Sequence, residues 1–259
     1  MSRSALITGA SRGIGLGIAT RLAEQGYGLT ITARDRERLE AVGADLRTAG
    51  AKDVVVVAGD LADEESAGRV VEAHADAFGS LNALVLNAGV GTAGAIGEFP
   101  MGRFDKSLGV NLRAPFSLLQ QSLPLLRTGA AENPGRGSKV VALASITGVY
   151  AEAGLAVYGA TKAALISLTE TLNVEESGNG ISATALAPAY VDTDMAAWTH
   201  DTIPPETMIE VNDIVELVDA CCGCPRARWS RRSSSDGPER TATAPSPRLP
   251  APRRACGRT

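Results

Sequence analysis

The chain has 259 residues, 44% of them hydrophobic and 21% charged, with a formal net charge of −4. That balance describes a folded protein able to bury roughly 70–75% of its unfolded surface, and it excludes a mainly disordered chain. Mild acidity argues against a general nucleic-acid binder, no apolar run approaches the ~20 residues of a membrane helix, and Met1-Ser2-Arg3-Ser4 is no signal-peptide start. A cytoplasmic protein with neither nucleic-acid nor membrane partners is expected.

Residues 3–8 form a short apolar run, predicted as a first strand. Ile14, Ile18 and Leu22 then recur at helical spacing. Between them lies Thr8-Gly9-Ala10-Ser11-Arg12-Gly13-Ile14-Gly15, a G-x-x-x-G-x-G loop opening a helix. Such glycines let backbone N–H groups approach a pyrophosphate at the positive end of the helix. A purely structural turn is the alternative. No Gly-Lys-Ser/Thr follows, so this is not a nucleoside-triphosphate P-loop.

Leu29–Ala33 reads as the second strand. Its end is where a dinucleotide-binding chain usually places an acid for the ribose 2′-hydroxyl. Here Ala33 is followed by Arg34, and Arg12 lies in the opposite loop, so two guanidinium groups suit a 2′-phosphate and hence NADP(H). Asp35 next door weakens that reading, and a surface pair of Arg34 with Glu37 is the alternative. A charged helix from Asp35 to about Thr48 leads into the β-branched strand Asp53–Ala58. A helix near 63–78 follows, and then a strand at 81–86.

Helices are predicted near 102–112 and 114–127, a strand at 138–144, a helix over 155–175, a strand at 180–186 and a last helix from an Asn212 cap to Asp219. Alternating strands and helices with fully apolar strands predict an α/β fold: a Rossmann-type, doubly wound parallel sheet in a single domain.

Ser145 ends the fifth strand. Tyr158 comes 13 residues later, and Lys162 stands one helical turn beyond it. A lysine cation beside a tyrosine favours the phenolate and brings the phenol toward acid–base work, while a serine hydroxyl can steady a carbonyl oxygen gaining charge. A surface Tyr/Lys pair is the bland alternative for Tyr-x-x-x-Lys alone.

Taken in order, Gly9–Gly15, Leu86-Asn87-Ala88-Gly89, Asn111, Ser145, Tyr158, Lys162 and Pro188-x-x-Val191-x-Thr193 resemble the short-chain dehydrogenases/reductases over about residues 3–219. The resemblance implies a catalytic set of Asn111, Ser145, Tyr158 and Lys162. Tyr158 would give a proton to the substrate carbonyl, Ser145 would hydrogen-bond its oxygen, and Lys162 would lower the tyrosine pKa and hold the nicotinamide ribose. Asn111 would place a water linking Lys162 to solvent. For the coenzyme it implies Gly9, Ser11, Arg12, Gly13, Ile14 and Gly15 at the pyrophosphate and Arg34 at the 2′-phosphate. Asp60 and Leu61 would lie at the adenine, Asn87, Ala88 and Gly89 along its ribose, and Pro188, Val191 and Thr193 at the carboxamide. It implies no metal; His74 and His200 match no family position and are expected at the surface.

Ala189 departs from the family's Pro-Gly, which raises the question of positive φ there. Residues 194–211 correspond to the segment that covers the substrate, with Met195, Ala196, Ala197, Trp198 and Ile203 as lining candidates and core packing as the alternative for Trp198. The whole is most similar to 3-oxoacyl-thioester (acyl carrier protein) reductases. Reductases of other small ketones, alcohols or sugars and a coenzyme-binding regulator are the alternatives. A homo-oligomer, dimer or tetramer, is implied.

Near residue 220 the composition changes. Residues 221–259 hold 9 Arg and no Lys against Asp236 and Glu239, a net of +7, which leaves residues 1–220 at −11. All four cysteines, Cys221, Cys222, Cys224 and Cys256, lie beyond that point, in a spacing that fits no usual zinc site. Residues 1–220 are therefore expected to form the coenzyme-binding catalytic domain. Residues 221–259 are expected to be an unstructured appendage, a basic docking tail, or the product of a shifted reading frame. The family's seventh strand is missing from the sequence, and an open sheet edge with a tendency to aggregate is the expected consequence.

Overall fold

The computed structural model describes residues 3–225. Six strands form one parallel sheet: β1 (Ser4–Thr8), β2 (Gly28–Ala33), β3 (Asp53–Ala58), β4 (Ala83–Leu86), β5 (Ser138–Leu143) and β6 (Ile181–Leu186), in the order β3-β2-β1-β4-β5-β6. This is the order of a Rossmann-type doubly wound sheet, the fold class expected from the sequence, and it reverses direction between β1 and β4. No seventh strand follows β6 among the described residues. The tail from residue 226 to 259, with the readings placed on it, lies outside them.

Side chains alternate across each strand, so both faces need cover. Ala5, Ile7, Val85 and Val141 face a core closed by α1 (Gly13–Glu24), α2 (Arg36–Thr48) and α7 (Val211–Gly223). Leu6, Leu84, Leu86 and Val140 face a second core under α3 (Ser66–Phe78), α5 (Ala114–Glu132) and α6 (Ala156–Glu176). Strands buried on both faces are the physical reason for the uninterrupted apolar runs.

Two boundaries differ from expectation. The last helix starts at Val211 with Glu210 as its N-cap residue, so Asn212 lies inside it. It also continues past residue 220, because Cys221 and Cys222 are 6% and 5% exposed and pack into the first core. The two helices expected near 102–127 are α4 (Met101–Leu108) and α5, joined without a break by a π-turn over Gly109–Arg113. Among the described residues no helix is long and apolar enough to cross a membrane.

His74 corrects a sequence expectation. It is fully buried, its Nε2–H donating to the Ser80 carbonyl (3.2 Å) and its Nδ1 accepting from the Thr30 hydroxyl (2.8 Å). Burial pushes the imidazole down to about 4 from its ordinary 6.5. The unfolded chain therefore takes up a proton between those values that the folded chain refuses, and stability falls as pH drops through this window. Urea unfolding at pH 5 should show about 2 kcal/mol less stability from this group than at pH 7. His74→Asn should remove that component; an equal pH dependence in the variant would show that other groups are responsible.

Candidate active site

Ligands of such sheets bind beyond the strand ends, where strand order reverses, and the motif residues gather there. β1 ends in Thr8, whose hydroxyl oxygen accepts from the backbone N–H groups of Asn87 (3.0 Å) and Ala88 (2.9 Å). Asn87 returns its amide Nδ2–H to the carbonyls of Thr8 (2.9 Å) and Gly9 (3.1 Å), stitching the loop after β4 to the glycine loop. At Gly9 φ is +68°, and a Cβ at Gly15 would stand 2.3 Å from the Gly9 carbonyl oxygen.

Helix α1 begins there with no side-chain cap and no acid in its first turn, and its first backbone bond is Leu16 N–H to the Arg12 carbonyl. The N–H groups of this uncapped end suit a pyrophosphate, so the loop fits a dinucleotide. Ser11, Gly13 and Ile14 complete it, with Gly13 facing Thr193.

At the end of β2, Arg34 is exposed, and among the described residues no carboxylate lies within ion-pair distance of it. Asp35 serves a different purpose: its side chain accepts from the Arg38 N–H (3.1 Å) and caps α2. Arg12 does not lie free. Its Nη1 meets Asp194 Oδ2 at 2.6 Å, with both side chains more than half exposed. After β3, Asp60 accepts from the Ala62 N–H (2.9 Å), and Leu61 is buried.

The catalytic candidates converge from three elements. The π-turn places Asn111, 1% exposed, so that its amide brackets Val90: Oδ1 accepts from Val90 N–H (2.8 Å) and Nδ2 donates to Val90 O (3.0 Å). Nδ2 also donates to Thr161 Oγ1 (3.2 Å), on the helix turn that carries Tyr158 and Lys162. Local π geometry inside an α-helix commonly marks a functional site. Lys162 is buried, its Nζ donating to the Leu143 carbonyl (2.6 Å) and standing 5.5 Å from the centroid of the Tyr158 ring. A Cβ at Gly89 would lie 3.5 Å from Lys162 Nζ and 3.4 Å from Asn111 Oδ1, so these groups share one pocket end.

Burial pushes Lys162 down to about 8. It raises the Tyr158 phenol above its ordinary value, and the Ser145 hydrogen bond partly opposes this. The expected lowering of the phenol by Lys162 is therefore not its net condition here: burial outweighs the partners it has.

Around the opening, Ile146 N–H donates to the Pro188 carbonyl (2.8 Å), holding the loop after β6 against the Ser145 turn. No non-glycine residue among those described has positive φ, so Ala189 carries no left-handed strain. Val191 pairs with Ile209, closing the base of the segment between them. Within it Met195 lies against Gly91, Ala196 is buried, Ala197 is exposed and Ile203 is half-buried. Trp198 is 63% exposed, which rules out a core-packing role. Tyr190 donates to Glu152 Oε1 (2.6 Å) across the opening, and that carboxylate pushes the Tyr190 phenol up to about 12.

Sequence reasoning missed Thr8, Thr161 and Thr147 as site residues. Thr8 and Thr161 adjoin recognised motif residues and Thr147 lies two positions from Ser145, but only the hydrogen bonds reveal their parts. Among the described residues no group of three or more His, Cys, Asp or Glu could hold a metal ion.

A parallel Rossmann-type sheet with a glycine cradle and a Ser/Tyr/Lys cluster at its switch point defines a nucleotide-dependent oxidoreductase. The chain belongs to the short-chain dehydrogenase family, whose pattern it matches over residues 3–203. It is 32% identical over 213 residues to a 3-oxoacyl-[acyl-carrier-protein] reductase of Staphylococcus aureus, spanning 82% of this chain and 83% of that one. It is 34% identical over 205 residues to the 2-(R)-hydroxypropyl-CoM dehydrogenase of Xanthobacter autotrophicus, spanning 78% of this chain and 79% of that one.

Among solved structures it resembles a short chain dehydrogenase from Burkholderia cenocepacia in complex with NADP, with a TM-score of 0.76 and 32% identity over 86% of this chain and 91% of that one. It also resembles a 3-oxoacyl-[acyl-carrier protein] reductase from Brucella melitensis in complex with NAD. There the TM-score is 0.76 and the identity 30%, over 86% of this chain and 90% of that one.

Proposed function

We propose that this protein reduces a carbonyl to a secondary alcohol with NADPH, acting in the cytoplasm as a homo-oligomer on a small-molecule ketone, with 3-oxoacyl thioesters as the substrate class. The observation that carries the reading is the convergence of Ser145, Tyr158 and Lys162 beside Gly89. The reductases and dehydrogenase it resembles support the reaction type.

The coenzyme, when bound, supplies the hydride. Gly9, Ser11, Gly13, Ile14 and Gly15 would hold its pyrophosphate, Asp60, Leu61, Asn87, Ala88 and Gly89 its adenosine side, and Pro188, Val191 and Thr193 its nicotinamide. Tyr158 keeps its proton at neutral pH because burial raises the phenol, which suits a donor to a carbonyl oxygen gaining charge. Ser145 donates to the same oxygen. Lys162, mostly cationic at pH 7 with its pKa near 8, steadies the phenolate left behind. It would also hold the nicotinamide ribose. Asn111 ties the loop after β4 to α6 and fixes the lysine's surroundings.

NADPH over NADH is supported by Arg34, which forms no ion pair among the described residues, and by Asp35, whose side chain caps its helix. Arg12 has an exposed partner in Asp194, and an exposed pair of this kind is worth little, so a 2′-phosphate can draw it away. A ligand at ~100 times its Kd adds about 2.7 kcal/mol of apparent stability. Thermal unfolding with equal concentrations should therefore show NADPH raising the midpoint more than NADH. Arg34→Ala should weaken NADPH about tenfold or more and leave NADH unchanged. Equal shifts for both coenzymes in the parent protein would remove the preference.

A further inference from the structure

Ser145 leaves β5 in extended backbone and begins a short turn over Ile146–Gly148. Its Oγ accepts two hydrogen bonds from one residue: the backbone N–H of Thr147 at 3.3 Å and the Thr147 hydroxyl at 3.0 Å. A serine hydroxyl has one proton and two acceptor directions. With both acceptor directions filled, what remains is a donor, and the group it acts on is the Tyr158 phenol, whose upward shift by burial Ser145 partly opposes.

We propose that Thr147 is a positioning residue for the reaction: by filling the acceptor side of Ser145, it commits that hydroxyl to donate to the oxygen between Ser145 and Tyr158. The inference rests on the reading of Ser145 and Tyr158 as the proton-handling pair.

Thr147 can impose this polarity because its own backbone has nowhere to go. A Cβ at Gly159 would stand 2.7 Å from the Thr147 carbonyl oxygen, and one at Gly148 would stand 2.8 Å from the backbone N of Ala163. The turn therefore lies directly on α6. It is pinned further by Gly148 N–H to the Ser145 carbonyl (2.9 Å) and Ile146 N–H to the Pro188 carbonyl (2.8 Å).

Without the threonine hydroxyl, one acceptor direction of Ser145 opens, and the Tyr158 O–H can donate into it. The bond then runs from tyrosine to serine and favours the neutral phenol, where the native bond favours the phenolate. In the native polarity both hydroxyls offer a proton to a carbonyl oxygen. In the reversed one, Ser145 competes with substrate for the tyrosine proton.

The titration half of the test needs no knowledge of the substrate. The protein is labelled with [ζ-13C]tyrosine, and the Tyr158 resonance is assigned by its absence in Tyr158→Phe. It is then titrated in the parent, Thr147→Val, Thr147→Ala and Thr147→Ser. Tyr158 should ionise at higher pH in the valine and alanine variants and at the parent's pH in the serine variant, which keeps the hydroxyl. In parallel, reduction of acetoacetyl-coenzyme A by NADPH should lose about 3–10-fold in kcat in the first two, with KM for NADPH unchanged and the serine variant restored.

An unmoved Tyr158 titration in both hydroxyl-free variants overturns the inference, as does a rate loss that Thr147→Ser fails to rescue. The alanine variant, smaller than the native residue, covers the case in which valine disturbs the turn. Failure of the underlying reading looks different: Tyr158→Phe would then reduce acetoacetyl-coenzyme A at the parent's rate.

Discussion

Tyr158→Phe should reduce turnover of a carbonyl substrate by about 10²–10⁴-fold, the usual contribution of a positioned proton donor. The ring sits half-buried beside Lys162, and the change removes one oxygen from its rim. Packing is thus preserved, and the thermal midpoint and its rise with NADPH should stay at the parent's values. That separation of binding from turnover distinguishes a reductase from a coenzyme-binding regulator, which loses nothing when the phenol is removed.

The pH dependence follows from the raised phenol. A donor must be protonated, so reduction should hold through neutral pH. Oxidation needs the phenolate and should rise as pH increases. Steady-state rates in both directions across pH 6–10 check this. Full reductase activity in the phenylalanine variant would remove Tyr158 from the proposed role.

Gly15→Ala carries the second large effect. The added methyl would lie 2.3 Å from the Gly9 carbonyl oxygen and 2.4 Å from Asn87 Nδ2. Neither neighbour is a flexible chain end. Gly9 is held by its N–H to the Thr32 carbonyl (2.8 Å), and Asn87 by bonds to Thr8 and Gly9. The loop must therefore open, spoiling both the phosphate cradle and the link between β1 and β4. Overpacking of this kind costs about 1–3 kcal/mol. With two fixed neighbours the upper end is expected, a loss of roughly 100-fold in coenzyme affinity. Titration of NADPH fluorescence against the variant measures this, and parent-like affinity would show that the loop can move aside. Gly26→Ala, where no atom lies within 4 Å but φ is +72°, is the control for backbone strain without a clash.

Much of this molecule is legible in its sequence for a plain reason: apolar strands buried on both faces and glycines in a tight loop leave strong local marks. Val54–Val57 reads as a strand because its β-branched run is too short for a helix, although at the sheet edge only Val54 is buried and the other three are half-buried, and Gly9–Gly15 reads as a phosphate loop with a structural turn as the alternative. The fold class and the alternation of elements follow from such local patterns, while the grouping of Ser145 with Tyr158 and Lys162 comes from the ordered motifs that resemble the family.

Other features depend on partners far apart in the chain. His74 looks like a surface residue on a polar helix until Thr30 and Ser80, 44 positions before and 6 after it, close around the ring. Arg12 looks like a phosphate ligand, and only folding brings Asp194, 182 positions away, against it. Asn212 has the chemistry of a cap, but packing of α7 on the first core sets the helix start at Val211.

Residue type and spacing alone are enough for the doubly wound α/β sheet, and they nominate the glycine loop and Ser145, Tyr158 and Lys162 as candidates, because each leaves a mark in short-range pattern. Tertiary structure decided the condition of those residues: a phenol raised by burial, a lysine at about 8, a serine whose acceptor side is filled by Thr147. Burial and hydrogen-bond polarity are properties of what surrounds a group in space, and neighbours brought together by folding supply them.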